Sequence, residues 1–149
     1  MKTSQSNFLR WAARHWSLLL AMSFGSALAH IATTGMPLQV GALMDGTARS
    51  PSQAGLFAFI EVASLSLGMI LLSLLVARIK PLQVAIAGAL LAVLADLGLY
   101  VAREFTLQLV LGGIAGLGFG LAYSATISAG ATSSDTDRAY AVGVGGSLV

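Results

Sequence analysis

His30, Glu61 and Asp96 are the side chains whose positions call for chemistry, because each interrupts a long stretch that otherwise carries no charge. Ionisable groups inside apolar helices are rare, turn toward other helices or a watery cavity, and mark ion or proton pathways. Glu61 is the foremost candidate for a proton or cation site and shares a helical face with Ser64 and Gly68. Asp96 shares its face with Ala85, Ala89 and Ala92. Counted from the expected helix ends, Glu61 lies about 10 Å deep, Asp96 about 8 Å and His30 about 15 Å, all within one half of a bilayer. Each also has a structural alternative: Glu61 as a hydrogen-bonded acid locking two helices, Asp96 as an interfacial partner of Arg103, His30 as a donor between helices.

Around His30, the residues Ser23, Ser26, Thr33 and Thr34 recur at spacings of three or four, which makes a polar stripe on one helical face. Such a stripe is expected to face a partner helix or a cavity, since unsatisfied polar groups in hydrocarbon cost several kcal/mol. Gly35 and Pro37 are placed to loosen this helix, and broken helices beside a cavity are where transporters hold their sites. Tyr123 is either a packed aromatic or a ligand contact. Gly112, Gly116, Gly120, Ser124, Ser128 and Thr132 form a ridge at every fourth position, suited to close helix packing. The run Gly116-Leu117-Gly118-Phe119-Gly120 is no nucleotide loop, because it has neither a lysine nor a preceding strand.

The elements that must position these residues are membrane helices. Apolar residues make up 56% of the 149 and charged ones 9%, far below the roughly 25% charged of a soluble domain. From Phe105 to Ser134 no ionisable side chain occurs except Tyr123. A span needs about 20 helical residues, and four stretches reach that length: residues 16–43, 54–77, 82–101 and 106–131. The expected fold is therefore an all-α integral membrane protein, four transmembrane helices after a cytoplasmic segment over residues 1–15, with a truncated fifth helix from about Ala139. That last stretch is too short to cross a bilayer, so the chain reads as a fragment cut inside it. Residues 1–29 also resemble a secretory signal ending at Ala27-Leu28-Ala29, but the apolar run continues to Leu43 as an anchor would.

An amino terminus in the cytoplasm puts Lys2, Arg10, Arg14, Arg78, Lys80 and Arg138 inside and leaves Arg49 and Arg103 outside, as the positive-inside rule prefers. The expected location is the plasma or bacterial inner membrane. Scattered cations of this kind mark topology and form no nucleic-acid surface. With no cysteine, thiolate metal sites are excluded. There is no Ser-His-Asp arrangement and no paired-His motif, so neither an enzyme, a metal nor a cofactor is expected.

Three passages resemble the amino-terminal part of the major facilitator superfamily of secondary transporters: Ser52-Gln53-Ala54-Gly55-Leu56, Gly112-Gly113-Ile114-Ala115-Gly116-Leu117-Gly118 and Asp137-Arg138-Ala139. The resemblance runs from about Trp16 to Val149. Of the family's loop between helices two and three, Arg78 and Lys80 remain, while Ala77 stands in place of an acid. Gln108 stands where the fourth helix often starts with arginine. The resemblance implies the first part of a twelve-helix protein in which helices one and four line a central cavity and helix three faces lipid. It implies alternating-access transport of a small solute, with the lipid bilayer and the remaining helices as partners, and Glu61 suggests protons as the coupling ion. A small four-helix membrane scaffold or subunit is the alternative.

Overall fold

The computed structural model describes residues 11, 13, 15–75, 80–131, 136–137 and 140–141, and every element among them is helical. The elements are α1 (Trp16–Thr34), α2 (Met36–Thr47), α3 (Pro51–Leu75), α4 (Pro81–Val101) and α5 (Phe105–Ala131). Three of them, α3, α4 and α5, are long and apolar enough to cross a membrane. The first ten residues, the Arg78 turn and the start of a fifth span lie outside the described residues, apart from Tyr140 and Ala141.

The stretch 16–43, expected as one span, divides at Gly35. Pro37 has no amide proton, so the carbonyl four residues earlier, that of Thr33, loses its helical partner. Gly35 absorbs the bend: its N–H donates to Ile31 O at 2.8 Å while its carbonyl accepts from Leu38 and Gln39 at 2.9 and 3.1 Å. A Cβ here would stand 2.5 Å from the Ile31 carbonyl oxygen, which reserves the position for glycine. Pro37 itself sits comfortably in the first turn of α2.

The other helix starts follow local rules. Ser50 and Gln53 form a reciprocal capping box, with Gln53 N–H donating to Ser50 Oγ at 3.3 Å and Ser50 N–H donating to Gln53 Oε1 at 3.1 Å. Pro51 opens α3 and Pro81 opens α4, both at positions where the missing proton costs nothing. The turn after α2 carries the one non-glycine residue of positive φ among those described, Ala48 at φ 52° and ψ 38°.

Helix α5 is the centre of the bundle, with α3 on one side, α4 on another and α1 crossing it. Its small residues set the distances. A Cβ on Gly112 would strike the Phe57 ring, one on Gly116 the Glu61 carbonyl and one on Gly120 the Leu65 carbonyl. Gly88 and Gly118 meet in the same way, each lying under 3 Å from the other's carbonyl oxygen once a Cβ is added. Where α1 crosses, Gly25 lies on Thr126 and Met22 on Gly130. Around this spine the core is alanine-rich, with Ala32, Ala92, Ala95 and Ala115 packed about Phe119. Large apolar side chains such as Phe24, Leu38, Leu74 and Leu97 point outward, an inside-out distribution that suits a lipid surround.

Candidate functional site

Glu61 is the most informative side chain in the interior. It sits midway along α3, is 1% exposed, and neither carboxyl oxygen has a hydrogen-bond partner. The local cause is α5: with Gly116 against the Glu61 carbonyl, the two backbones approach so closely that the acid's helix face is sealed. A second acid, Asp96, lies on α4. Its Oδ1 is also buried and unpartnered.

Asp96 lines a half-open cavity of about 660 Å³ at the end of the bundle where α2 and α4 finish and α5 begins. Gln39, Thr47, Phe57, Tyr100, Arg103 and Gln108 are among its other walls. Glu61 is one helical turn beyond Phe57 on α3, and Phe57, also buried, stands against Gly112. Phe57 thus belongs to the cavity wall, and Glu61 does not. Gln39 contributes a further buried oxygen, Oε1, without a partner. Three side chains thus hold acceptor oxygens in this part of the molecule that nothing among the described residues satisfies.

On the same wall, by contrast, Gln108 is bonded at both ends of its amide. Gln108, 1% exposed, accepts from Arg49 Nε at 3.0 Å and donates through Nε2 to the Ala102 carbonyl at 3.0 Å. The Arg49 guanidinium also donates to the Arg103 carbonyl and lies 5.4 Å from the Phe105 ring centroid. Arg49 and Gln108 were not expected to matter together. The signal available in the sequence was weak: one arginine in a loop and one glutamine near a helix start, 59 residues apart.

The remaining expected residues fall elsewhere. His30, Thr33 and Thr34 are exposed on α1, and their polar atoms return to its own backbone: His30 Nδ1 lies 2.9 Å from Ser26 O, while Thr33 and Thr34 donate to His30 O at 3.2 and 2.5 Å. Only Ser26 of that stripe is buried. Tyr123 is half-buried in α5, where its carbonyl accepts from Thr126 at 2.7 Å. Ser124 and Ser128 are joined by a hydroxyl-to-carbonyl bond of 2.8 Å. Lys80 is exposed at the start of α4, and Arg78 lies outside the described residues. At the far end of α5 the Tyr140 hydroxyl donates to Ile127 O at 2.9 Å. Among the described residues no three His, Asp or Glu side chains gather as a metal site would require. No family model, curated protein or solved structure matches this chain.

Proposed function

We propose that the chain is the amino-terminal part of a secondary transporter of the major-facilitator type, moving a small solute by alternating access with proton coupling through Glu61. In this reading α1 makes the first crossing, with α2 its continuation beyond the break at Gly35, and α3, α4 and α5 complete four crossings from a cytoplasmic amino terminus. The nineteen residues of α1 rise about 28 Å, close to the hydrocarbon thickness, so α2 sits at the outer interface and the cavity opens outward. The observation that carries the proposal is the sealed, unpartnered carboxyl of Glu61, one helical turn along α3 from Phe57 of the cavity wall. A structural lock would be hydrogen-bonded; an acid kept without partners is one whose proton can come and go with the conformation of the helices around it.

The test is uptake into sealed vesicles by the protein in its native length, with and without an imposed pH gradient. Glu61→Gln should abolish accumulation against a gradient while insertion and expression stay normal. Accumulation by that variant would overturn the coupling role. Topology is checked separately by single cysteines placed in this segment, which has none of its own: Ser50→Cys and Arg103→Cys should label from outside and Lys80→Cys only after permeabilisation.

A further inference from the structure

We infer that the open groove between α4 and α5 binds an acyl chain of an anionic phospholipid, whose phosphate is held by Lys80 and Gln83. The groove has a volume of about 460 Å³ and is lined by Gln83, Val84, Ala87, Gly88 and Leu91 of α4 and by Leu121 of α5. Gly88 forms its floor, because the two helices touch there: a Cβ added to Gly88 would lie 2.7 Å from the Gly118 carbonyl oxygen and 3.1 Å from the Leu121 Cβ. The five α4 residues recur at the spacing of one helical face, and Lys80 extends that series, three residues before Gln83 and four before Val84. Its carbonyl accepts the Gln83 and Val84 N–H groups at 3.1 and 3.3 Å, which fixes the lysine one turn from the groove's end. Lys80 and Gln83 are both exposed. One end of the groove is therefore polar and cationic, and the rest is apolar.

That division selects the occupant. Basic residues where a helix leaves the membrane attract anionic headgroups, and the long stem of a lysine lets its ammonium reach a phosphate from the start of a helix. Gln83 adds N–H donors for phosphate or glycerol oxygens. From Gln83 to Leu91 the axis of α4 rises about 12 Å, most of the roughly 15 Å of one leaflet's hydrocarbon, so an acyl chain lies along it lengthwise. A wholly apolar helix would cover the groove and leave both polar groups unmet, while a free phosphate would meet the lysine and leave the groove empty. At this end of the bundle the acid among the described residues is Asp137, exposed beyond α5 and absent from the lining. Such a site requires α4 and α5 to lie in a bilayer, as the transporter reading also does, but it does not require transport.

The experiment is native mass spectrometry of the protein in its native length, purified in detergent and supplied with equal amounts of phosphatidylglycerol and phosphatidylcholine bearing the same acyl chains. Phosphatidylglycerol should be retained at least fivefold more. Lys80→Gln should remove that preference and Lys80→Arg should keep it, while Arg103→Gln, which removes an exposed cation at the other end of α4, should leave it unchanged. Ala87→Phe, which fills the groove from an exposed position, should lower retention of both lipids at least fivefold, with unchanged elution as a folded particle. Equal retention of the two lipids, retention of neither, the same loss in Arg103→Gln as in Lys80→Gln, or full retention by Ala87→Phe would each overturn the site. Displacement of the lipid by glycerol phosphate at matched concentration would assign Lys80 to free phosphate and overturn it too. Lipid preference without uptake refutes the transporter alone, and uptake without lipid preference refutes this site alone.

Discussion

The Arg49 guanidinium donates to Gln108 Oε1 at 3.0 Å and so ties the turn after α2 to the first turns of α5. The same glutamine holds the Ala102 carbonyl, and the same arginine holds the Arg103 carbonyl, so two side chains close the whole α4–α5 turn over the cavity wall. Arg49→Ala leaves a buried amide oxygen without its donor. The expected loss is about 1–3 kcal/mol, measurable as a lower midpoint of thermal unfolding in detergent. Arg49→Lys should recover only part of it, because one ammonium cannot reach Gln108, the Arg103 carbonyl and the Phe105 ring at once. Full recovery by lysine would show that charge alone matters.

What aims Arg49 is the residue before it. Ala48 holds a left-handed backbone at φ 52°, where an L side chain costs about 1–2 kcal/mol. Glycine adopts that conformation freely but loses more freedom on folding, so Ala48→Gly should stabilise the protein by up to about 1 kcal/mol. Both α2's last carbonyl bonds and the Arg49 placement should survive, since Ala48 is exposed. A lowered unfolding midpoint would mean the alanine methyl group makes a contact that matters.

These two residues mark the limit of what could be read in advance. Glu61 and Asp96 were legible because a charge inside an apolar stretch is conspicuous in one dimension. The capping box of Ser50 and Gln53 went unread, and the expected start at residue 54 fell three residues after Pro51. The partnership of Arg49 with Gln108 was not legible, because it depends on how α2 returns toward α5 across 59 residues. Periodicity placed His30, Thr33 and Thr34 on one face, but it carries no information on whether that face is covered. Here the threonine hydroxyls and the imidazole fall back on their own helix. Pro37 announced a disturbance in the first span, and it took the backbone at Gly35 to show a full division into two helices.

The glycines of α5 separate into those that carry a crossing and those that do not. A methyl group at Gly116 would press on the Glu61 carbonyl and one at Gly120 on the Leu65 carbonyl. Because these obstacles are backbone, the helices must part, and Gly116→Ala or Gly120→Ala should each cost about 1–3 kcal/mol. Gly55 in α3 has nothing within 4 Å. There Gly55→Ala should stabilise by about 0.5–1 kcal/mol through helix propensity alone. Unfolding midpoints of the three variants, measured side by side, test whether α5 and α3 truly meet backbone to backbone; equal effects at all three positions would refute that packing.

Stability and function are expected to oppose each other at Glu61. Its two oxygens are buried and unpartnered, so the folded state bears a desolvation cost that no hydrogen bond offsets. Glu61→Met fills a similar volume without polar atoms, and replacing such a group by an apolar one is neutral or favourable. The unfolding midpoint of Glu61→Met should therefore rise, by the equivalent of about 1–3 kcal/mol, while coupled uptake disappears. An acid that locks α3 to a neighbour would give the opposite sign, because removing it would break the lock. Measuring both quantities on one preparation decides between the roles: a drop in midpoint assigns Glu61 to packing, and a rise together with lost uptake assigns it to the working cycle.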